Sequence, residues 1–262
     1  MNHLSAPVVG IVGLGSMGAA IAHGLAAHST PLVGHGRSRS HSAVSMLPDV
    51  ASVFREATVV IVAVKPHLFP ELGAEIPWEE SRVSIVISVA AGHSVQGVRQ
   101  LLRVPDGVAV VRTMPNLAAQ VGRSCTGIFS PDPAAQSFAA DLLGHIGSTV
   151  ILAREEQFHG FTALAGSGPA FAFMFAEALT DAAVREGLTR AQARSAAAQM
   201  LAGAAALLED PTVCPAALKD QVCSPAGTTI EGVAALEANG LRHAAMSAVS
   251  AAAARSRSMG GK

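Results

Sequence analysis

The sequence predicts an α/β chain in which a doubly wound parallel sheet is followed by an all-helical domain. Three observations predict it. Short, continuous β-branched runs recur through the first part of the chain, as in strands buried on both faces. Helix-like stretches alternate with those runs, the pattern of βαβ units. Beyond residue 153 the strand-like runs stop and alanine-rich helical stretches take over. These place a first domain over residues 1–153 and a second over 154–262.

In order, Val8–Val12 reads as a strand, Met17–Ala27 as a helix and Pro31–Gly34 as a second strand. Thr58–Val64, Val83–Val89 and Val108–Val111 continue the sheet. Helices then follow over Glu156–Leu164, Pro169–Glu186, Arg190–Leu208, Ala216–Val222, Thr229–Ala238 and Arg242–Ser258. Gly166-Ser-Gly-Pro169, Gly187-Leu-Thr189, Asp210-Pro211 and Asn239-Gly240 supply the stops and starts between them. Small residues on several faces of these helices predict burial beyond what one copy can provide. A homodimer or higher homo-oligomer formed through this half is therefore expected.

Composition narrows the function classes. Half of the 262 residues are apolar, only 14% are charged, and the formal net charge is −1. That balance gives no reason to expect nucleic acid or an anionic membrane surface as partner. No run is apolar enough to span a bilayer, and Gly13, Gly15 and Gly18 interrupt the first apolar run, so no signal peptide is read there. Cys125, Cys214 and Cys223 are scattered without metal-type spacing, which fits a reducing cytoplasm.

Gly13-Leu-Gly15-Ser16-Met17-Gly18 follows the first strand and opens the first helix. In that context it is a dinucleotide-binding loop, and the fold is Rossmann-like. The first Gly permits the turn, the second admits a pyrophosphate to the backbone, and the third lets helix and strand pack closely. An NAD site carries an acid about 20 positions further on. Here the stretch reads Gly34-His-Gly-Arg-Ser-Arg-Ser40, with no acid before Asp49. Arg37, Ser38 and Arg39 are instead suited to a 2′-phosphate, so NADPH is the expected cofactor, with NADH second. Ala63-Val64-Lys65-Pro66, Ala90-Ala91-Gly92 and Arg112-Thr-Met-Pro-Asn116 close later strands. Strand ends of this kind face the ligand in a parallel sheet, which adds Ala63, Val64, Lys65, Pro66, Ala90, Ala91 and Asn116 as cofactor-site candidates.

The segment Leu218–Glu231 places a Ser-Pro turn, a glycine and two hydroxyls at a helix start. Such a site is suited to a small carboxylate. Thr228-Thr-Ile-Glu231 also fits a capping box, with Thr228 capping and Glu231 reaching back. No histidine stands with a carboxylate at metal-ligand spacing, so no metal is expected.

With both halves read, the chain resembles the pyrroline-5-carboxylate reductase family. The resemblance rests on Gly13–Gly18, Ala63–Pro66, Ala90–Gly92, Arg112–Asn116, Gly166-Ser-Gly-Pro-Ala170 and Leu218-Lys-Asp220 through Ser224-Pro-Ala-Gly-Thr-Thr229. It implies NADPH-dependent reduction of a small-molecule substrate, 1-pyrroline-5-carboxylate, to L-proline, and a helical domain that dimerises. It also implies that Ser224, Gly227, Thr228 and Thr229, with Gln221 nearby, hold the substrate, and that the Thr229 hydroxyl meets the ring nitrogen. Thr229 and Lys65 are then the catalytic candidates. Hydride transfer to a protonated imine needs orientation and a proton rather than a strong base.

Two readings compete. β-Hydroxyacid dehydrogenases and other imine reductases share the opening glycine loop, but Gly166-Ser-Gly-Pro169 lacks the lysine that many hydroxyacid enzymes use. A non-catalytic nucleotide-binding regulator would need a broken substrate loop, and both hydroxyls are present. One departure stands out. The family commonly has Ser-Pro-Gly-Gly where this chain has Ser224-Pro-Ala226-Gly227. A positive φ there would cost alanine about 1 kcal/mol, and a shifted loop would alter the imine accepted.

Overall fold

A computed structural model describes residues 7–36 and 41–260. It divides into two compact units, residues 1–167 with 252–262, and residues 168–251.

The first unit begins with β1 (Val9–Val12), α1 (Ser16–Ala26), β2 (Leu32–His35), β3 (Ser45–Met46) and α2 (Val50–Glu56). It continues through β4 (Val59–Val62), α3 (Phe69–Glu75), β5 (Ile85–Ser88), α4 (Val95–Leu101) and β6 (Ala109–Met114). Then come β7 (Ser124–Phe129), α5 (Pro133–Gly144), β8 (Gly147–Ile151) and the short α6 (Phe158–Phe161). The eight strands form one sheet in the order β3-β2-β1-β4-β5-β6-β7-β8.

All neighbouring strands run parallel except β6 and β7, which pair antiparallel with Thr113 opposite Ile128. The sequence predicts a parallel sheet, and this pair departs from it. Its connection is residues 115–123, too short for the helical crossover that a parallel pair needs. The strands β3, β7 and β8 do not stand out in the sequence. β3 has two residues, and β7 and β8 carry Ser, Thr and Gly in place of a continuous Val/Ile run.

Alternation along the central strands divides two cores. Val9 and Ile11 of β1, with Val59 and Ile61 of β4, pack with α1 and α5 residues such as Ile21, Leu25 and Leu143. Val12, Val60 and Val62 face the other way, against Phe54 of α2, Phe69 of α3 and Val98 of α4. Side chains of period two buried on both faces are why these strands read as continuous apolar runs.

The second unit contains α7 (Gly168–Arg185), α8 (Arg190–Leu207), α9 (Pro215–Val222), α10 (Thr228–Ala238) and the start of α11 (Leu241–Gly260). Thr189 caps α8 by accepting from Gln192 N–H, and Gln192 reaches back to Thr189 N–H. Apolar side chains stand in the open here: Phe173 is 60% exposed, Met174 73% and Met246 71%.

Candidate functional site

The first unit has a cleft of about 1150 Å³ at the carboxyl ends of β1, β2 and β4. Gly13, Gly15, Ala63, Val64 and Lys65 all line it. Gly13 sits at φ +98°, and a Cβ there would come within 2.8 Å of Val64 and the Ala63 carbonyl carbon. Gly18 lies under the turn, where a Cβ would collide with the Gly13 carbonyl oxygen. Gly15 differs from both. It precedes α1 with an ordinary φ of −73°, no side chain caps the helix, and a Cβ would meet nothing within 4 Å. Packing gives no reason to keep Gly15 small, whereas a phosphate seated against the backbone and helix N-terminus does.

Ser16 is exposed at the start of α1, while the Met17 side chain packs against the core. Lys65 is exposed at the end of β4, and Pro66 opens the 3-10 turn Pro66–Leu68. Asp49, the first acid after the second strand, is committed elsewhere. Its carboxylate caps α2 by accepting from Ser52 N–H at 2.7 Å. That bond, with the nearby Arg55 and His35, holds its carboxyl below the usual range. Arg37, Ser38 and Arg39 lie outside the described residues. Among the cleft-lining residues that sequence reasoning missed, three are titratable: His35, the last residue of β2, and Glu71 and Glu75 of α3. His35 could have been found by position alone, because it ends the second strand about 20 residues past the glycine loop.

Ala90, Ala91 and Asn116 lie beyond β5 and β6 and do not line this cleft. Ala90 is buried, with its N–H donating to Ser88 Oγ at 3.3 Å. Asn116 is tied internally. Its Oδ1 accepts from Ala118 N–H at 3.1 Å, and its Nδ2 donates to the Ala165 carbonyl at 2.9 Å. That carbonyl lies in Thr162–Gly166, which winds as a π-helical turn with Ser167 N–H donating to Thr162 C=O at 2.8 Å. The wide turn sits beside Met114, which a Cβ on Gly166 would approach to 2.8 Å. Such π turns are rare and gather at functional sites.

At the end of β6, Arg112 is buried and donates through Nη1 to Glu155 Oε1 at 3.1 Å. Its guanidinium lies 4.2 Å from the Phe158 ring centroid. Glu155 Oε1 also accepts from Val95 N–H at 2.7 Å. Burial lowers the Arg112 pKa, and the Glu155 carboxylate offsets only part of that lowering. His93 and His159 are both held below the ordinary histidine value, first by burial and then by the Arg112 charge. His159 Nδ1 is paired with Ser256 Oγ at 3.0 Å.

The second unit carries the hydroxyl-rich segment. Ser224-Pro225-Ala226-Gly227 is a turn closed by Gly227 N–H donating to Ser224 C=O at 3.1 Å. With Pro second and a left-handed residue third, this is a type II arrangement. The third residue is Ala226, at φ +53°. The position that usually asks for glycine thus holds alanine, so the strained alternative left open by the sequence applies. Gly227 is the N-cap residue of α10, and Thr228 and Thr229 are its first two helical residues. The expected capping box does not form. Thr228 stands inside the helix rather than before it, and no side chain caps α10. Ser224 and Thr228 are exposed and Thr229 is half-buried. Gln221 is exposed on the last turn of α9, where Lys219 pairs with Asp220.

A glycine-lined cleft opening on the bare N-terminus of α1 defines a dinucleotide-binding protein of the Rossmann class. No group of three or more His, Cys, Asp or Glu suited to a metal occurs among the described residues, and none of the described helices is long and apolar enough to cross a membrane.

Comparison with known proteins narrows the class. Residues 155–259 match the family model for pyrroline-5-carboxylate reductase dimerisation, and residues 8–92 match that for NADP oxidoreductase, coenzyme F420-dependent. Pyrroline-5-carboxylate reductase 3 of Danio rerio is 36% identical over 267 residues, covering 97% of this chain and 92% of that protein. A solved pyrroline-5-carboxylate reductase from Coxiella burnetii aligns with a TM-score of 0.87 at 28% identity, covering 98% of this chain and 100% of the other. The Plasmodium falciparum pyrroline carboxylate reductase, solved with NADP bound, gives 0.85 at 26% identity, covering 97% and 98%. The chain belongs to the pyrroline-5-carboxylate reductase family.

Proposed function

We propose that this protein reduces 1-pyrroline-5-carboxylate to L-proline with NADPH, with NADH as the second cofactor. One observation carries the reading: the α10 helix start. Its first N–H groups are capped by no side chain and stand beside the hydroxyls of Ser224, Thr228 and Thr229. A bare helix N-terminus attracts an anion, here a small carboxylate.

Residues 1–153 hold the cofactor and residues 154–262 hold the substrate and the self-association surface. Gly13, Gly15, Ser16, Met17 and Gly18 receive the pyrophosphate through their backbone. Arg37, Ser38 and Arg39 take the 2′-phosphate. Lys65, with Ala63, Val64 and Pro66, borders the cofactor, as do Ala90, Ala91 and Asn116 at the next strand ends. The open space at Gly15 supports this assignment. Bound NAD(P)H supplies the hydride.

Ser224, Gly227 and Thr228 hold the substrate carboxylate, with Gln221 at the rim. Thr229 places its hydroxyl at the ring nitrogen and keeps the imine proton there by hydrogen bonding. An aliphatic hydroxyl is too weak an acid to serve as a general base at neutral pH, so Thr229 orients and conducts rather than abstracts. Thr229→Ala is expected to lower kcat about 10- to 100-fold, the worth of one such bond, while Thr229→Ser retains most activity.

The exposed Phe173, Met174 and Met246 support a homodimer or higher homo-oligomer through the helices of the second half. Light scattering at micromolar concentration is expected to give a multiple of the 26.5 kDa chain mass. Cys125, Cys214 and Cys223 are free thiols, which supports a cytoplasmic location.

The deciding experiment follows NADPH oxidation with 1-pyrroline-5-carboxylate beside NADP+ reduction with 3-hydroxyacids. Turnover with the imine alone is expected. Turnover only with hydroxyacids, or cofactor binding with no turnover, would overturn the proposal.

A further inference from the structure

The chain passes from the first unit to the second at Ser167 and Gly168, immediately after the π turn of Thr162–Gly166. An ordinary α-helical winding cannot be completed there. In such a winding the Ala165 carbonyl would accept from the N–H of residue 169, and Pro169 has none. The proline ring also crowds the carbonyl four residues before it, which is again that of Ala165. That carbonyl finds a donor outside the helix, in Asn116 Nδ2 at 2.9 Å.

The Asn116 amide has one possible orientation. Its Oδ1 faces Ala118 N–H, which only donates, and its Nδ2 faces the Ala165 carbonyl, which only accepts. The backbone N–H of Asn116 donates to Ser124 Oγ at 3.1 Å, and Ser124 Oγ lies 3.0 Å from Thr126 Oγ1, both residues being buried in β7. Gly166, the last residue of the turn, stands so close to Met114 that a Cβ would come within 2.8 Å of its terminal methyl. Met114 and Asn116, at the end of β6 and just beyond it, thus hold the turn at two points. We propose that Asn116 is a positioning residue for imine reduction, which serves the carbonyl that Pro169 cannot and so fixes the π turn between the cofactor unit and the substrate unit. The inference rests on the function proposed above.

Hydride transfer is steeply sensitive to the placement of donor and acceptor, and a displacement of about 1 Å costs about a hundredfold in rate. A π turn, closed by a bond to the fifth residue on, holds one residue more than an α-helical turn. Its loss would rotate the chain beyond it by about 100°, the step of one residue in an α-helix. Asn116 therefore acts on the rate through the turn, with its amide spent on Ala118 and Ala165.

Steady-state imine reduction and NADPH titration, both at about pH 8 so that an introduced carboxyl is ionised, separate this role from direct contact with the cofactor. Asn116→Asp keeps the acceptor for Ala118 N–H and removes the donor for Ala165. It is expected to lower kcat about tenfold, the worth of one hydrogen bond, while the KM for the imine and the Kd for NADPH change by less than about twofold. Pro169→Ala returns an N–H to the helix. Combined with Asn116→Asp it should restore the Tm and leave kcat low, because the carbonyl regains a donor while the turn rewinds. Pro169→Ala alone sets the new N–H against Asn116 for the same carbonyl and should lower kcat severalfold. That measurement stands even where Asn116→Asp does not fold. Unchanged kcat in either single variant, a loss of NADPH affinity at constant kcat, or joint recovery of Tm and kcat in the double variant would overturn this inference alone. Absence of imine turnover by the wild-type protein would overturn the proposed function and this inference with it.

Discussion

Gly227 stands so close to Ser224 that a Cβ there would strike the Ser224 hydroxyl oxygen and turn that hydroxyl aside. The same two residues close the turn through the Gly227 N–H and the Ser224 carbonyl. Gly227 is at φ −83°, which any residue adopts. Its smallness therefore serves the placement of the Ser224 hydroxyl and not the backbone. Gly227→Ala is expected to fold and to raise the KM for the imine about tenfold, the worth of one displaced hydrogen bond, with cofactor affinity unchanged. An unaltered KM would remove Ser224 from the substrate site.

Ala226 is strained in the same turn. Left-handed backbone costs an L-residue about 1–2 kcal/mol, and glycine's greater freedom in the unfolded chain offsets about 0.5–1 kcal/mol of the gain. Ala226→Gly is thus expected to stabilise by roughly 0.5–1 kcal/mol, seen as a Tm higher by a few degrees at fixed protein concentration. A lower Tm would show that the left-handed φ at this position carries no cost.

Gly15 and Gly18 separate binding from folding. A Cβ at Gly15 enters open space, so Gly15→Ala should leave the Tm of the ligand-free protein unchanged and weaken NADPH binding about tenfold or more by blocking the backbone approach. At Gly18 the Cβ strikes the Gly13 carbonyl, so Gly18→Ala should lower the Tm itself. Equal Tm losses in both variants would show that Gly15 is constrained by packing.

His93 and His159 make stability depend on pH. Both have folded-state pKa values lowered from the ordinary 6.5 by burial and by Arg112. The unfolded chain therefore binds protons more readily. The stability these groups contribute is fully present above about pH 6.5 and is lost as pH falls from there through their folded values. Denaturant unfolding at pH 7.5, 6.5 and 5.5 should show a decline that is shallower in the double variant His93→Gln and His159→Gln. An identical decline would assign the acid sensitivity to other groups.

Much of the fold was legible because period and composition are local properties. Continuous Val/Ile runs marked β1, β4, β5 and β6, and Gly/Pro punctuation marked the ends of α7 to α11. The strands β7 and β8 were not legible, since Ser124, Thr126, Gly127, Gly147, Ser148 and Thr149 give them no apolar run, and the pairing of β7 with β6 and of β8 with β7 supplies the order instead. Likewise Asp49 read as the first acid after the second strand, but only the helix that it caps shows how it is used.

By itself the sequence determined which residue types stand at the strand ends and at the α10 start, because Gly-x-Gly-x-x-Gly and Ser-Pro-x-Gly-Thr-Thr are contiguous segments whose spacing is fixed along the chain. Tertiary structure decided what those residues are free to do. It set the left-handed φ of Ala226, withheld the capping box from Thr228, and bound Asn116 to the π turn. It also brought His35 into the cleft with its Nδ1 committed to the Leu47 carbonyl. Each of these depends on a hydrogen-bond partner or a backbone angle that distant packing imposes, and no local pattern records them.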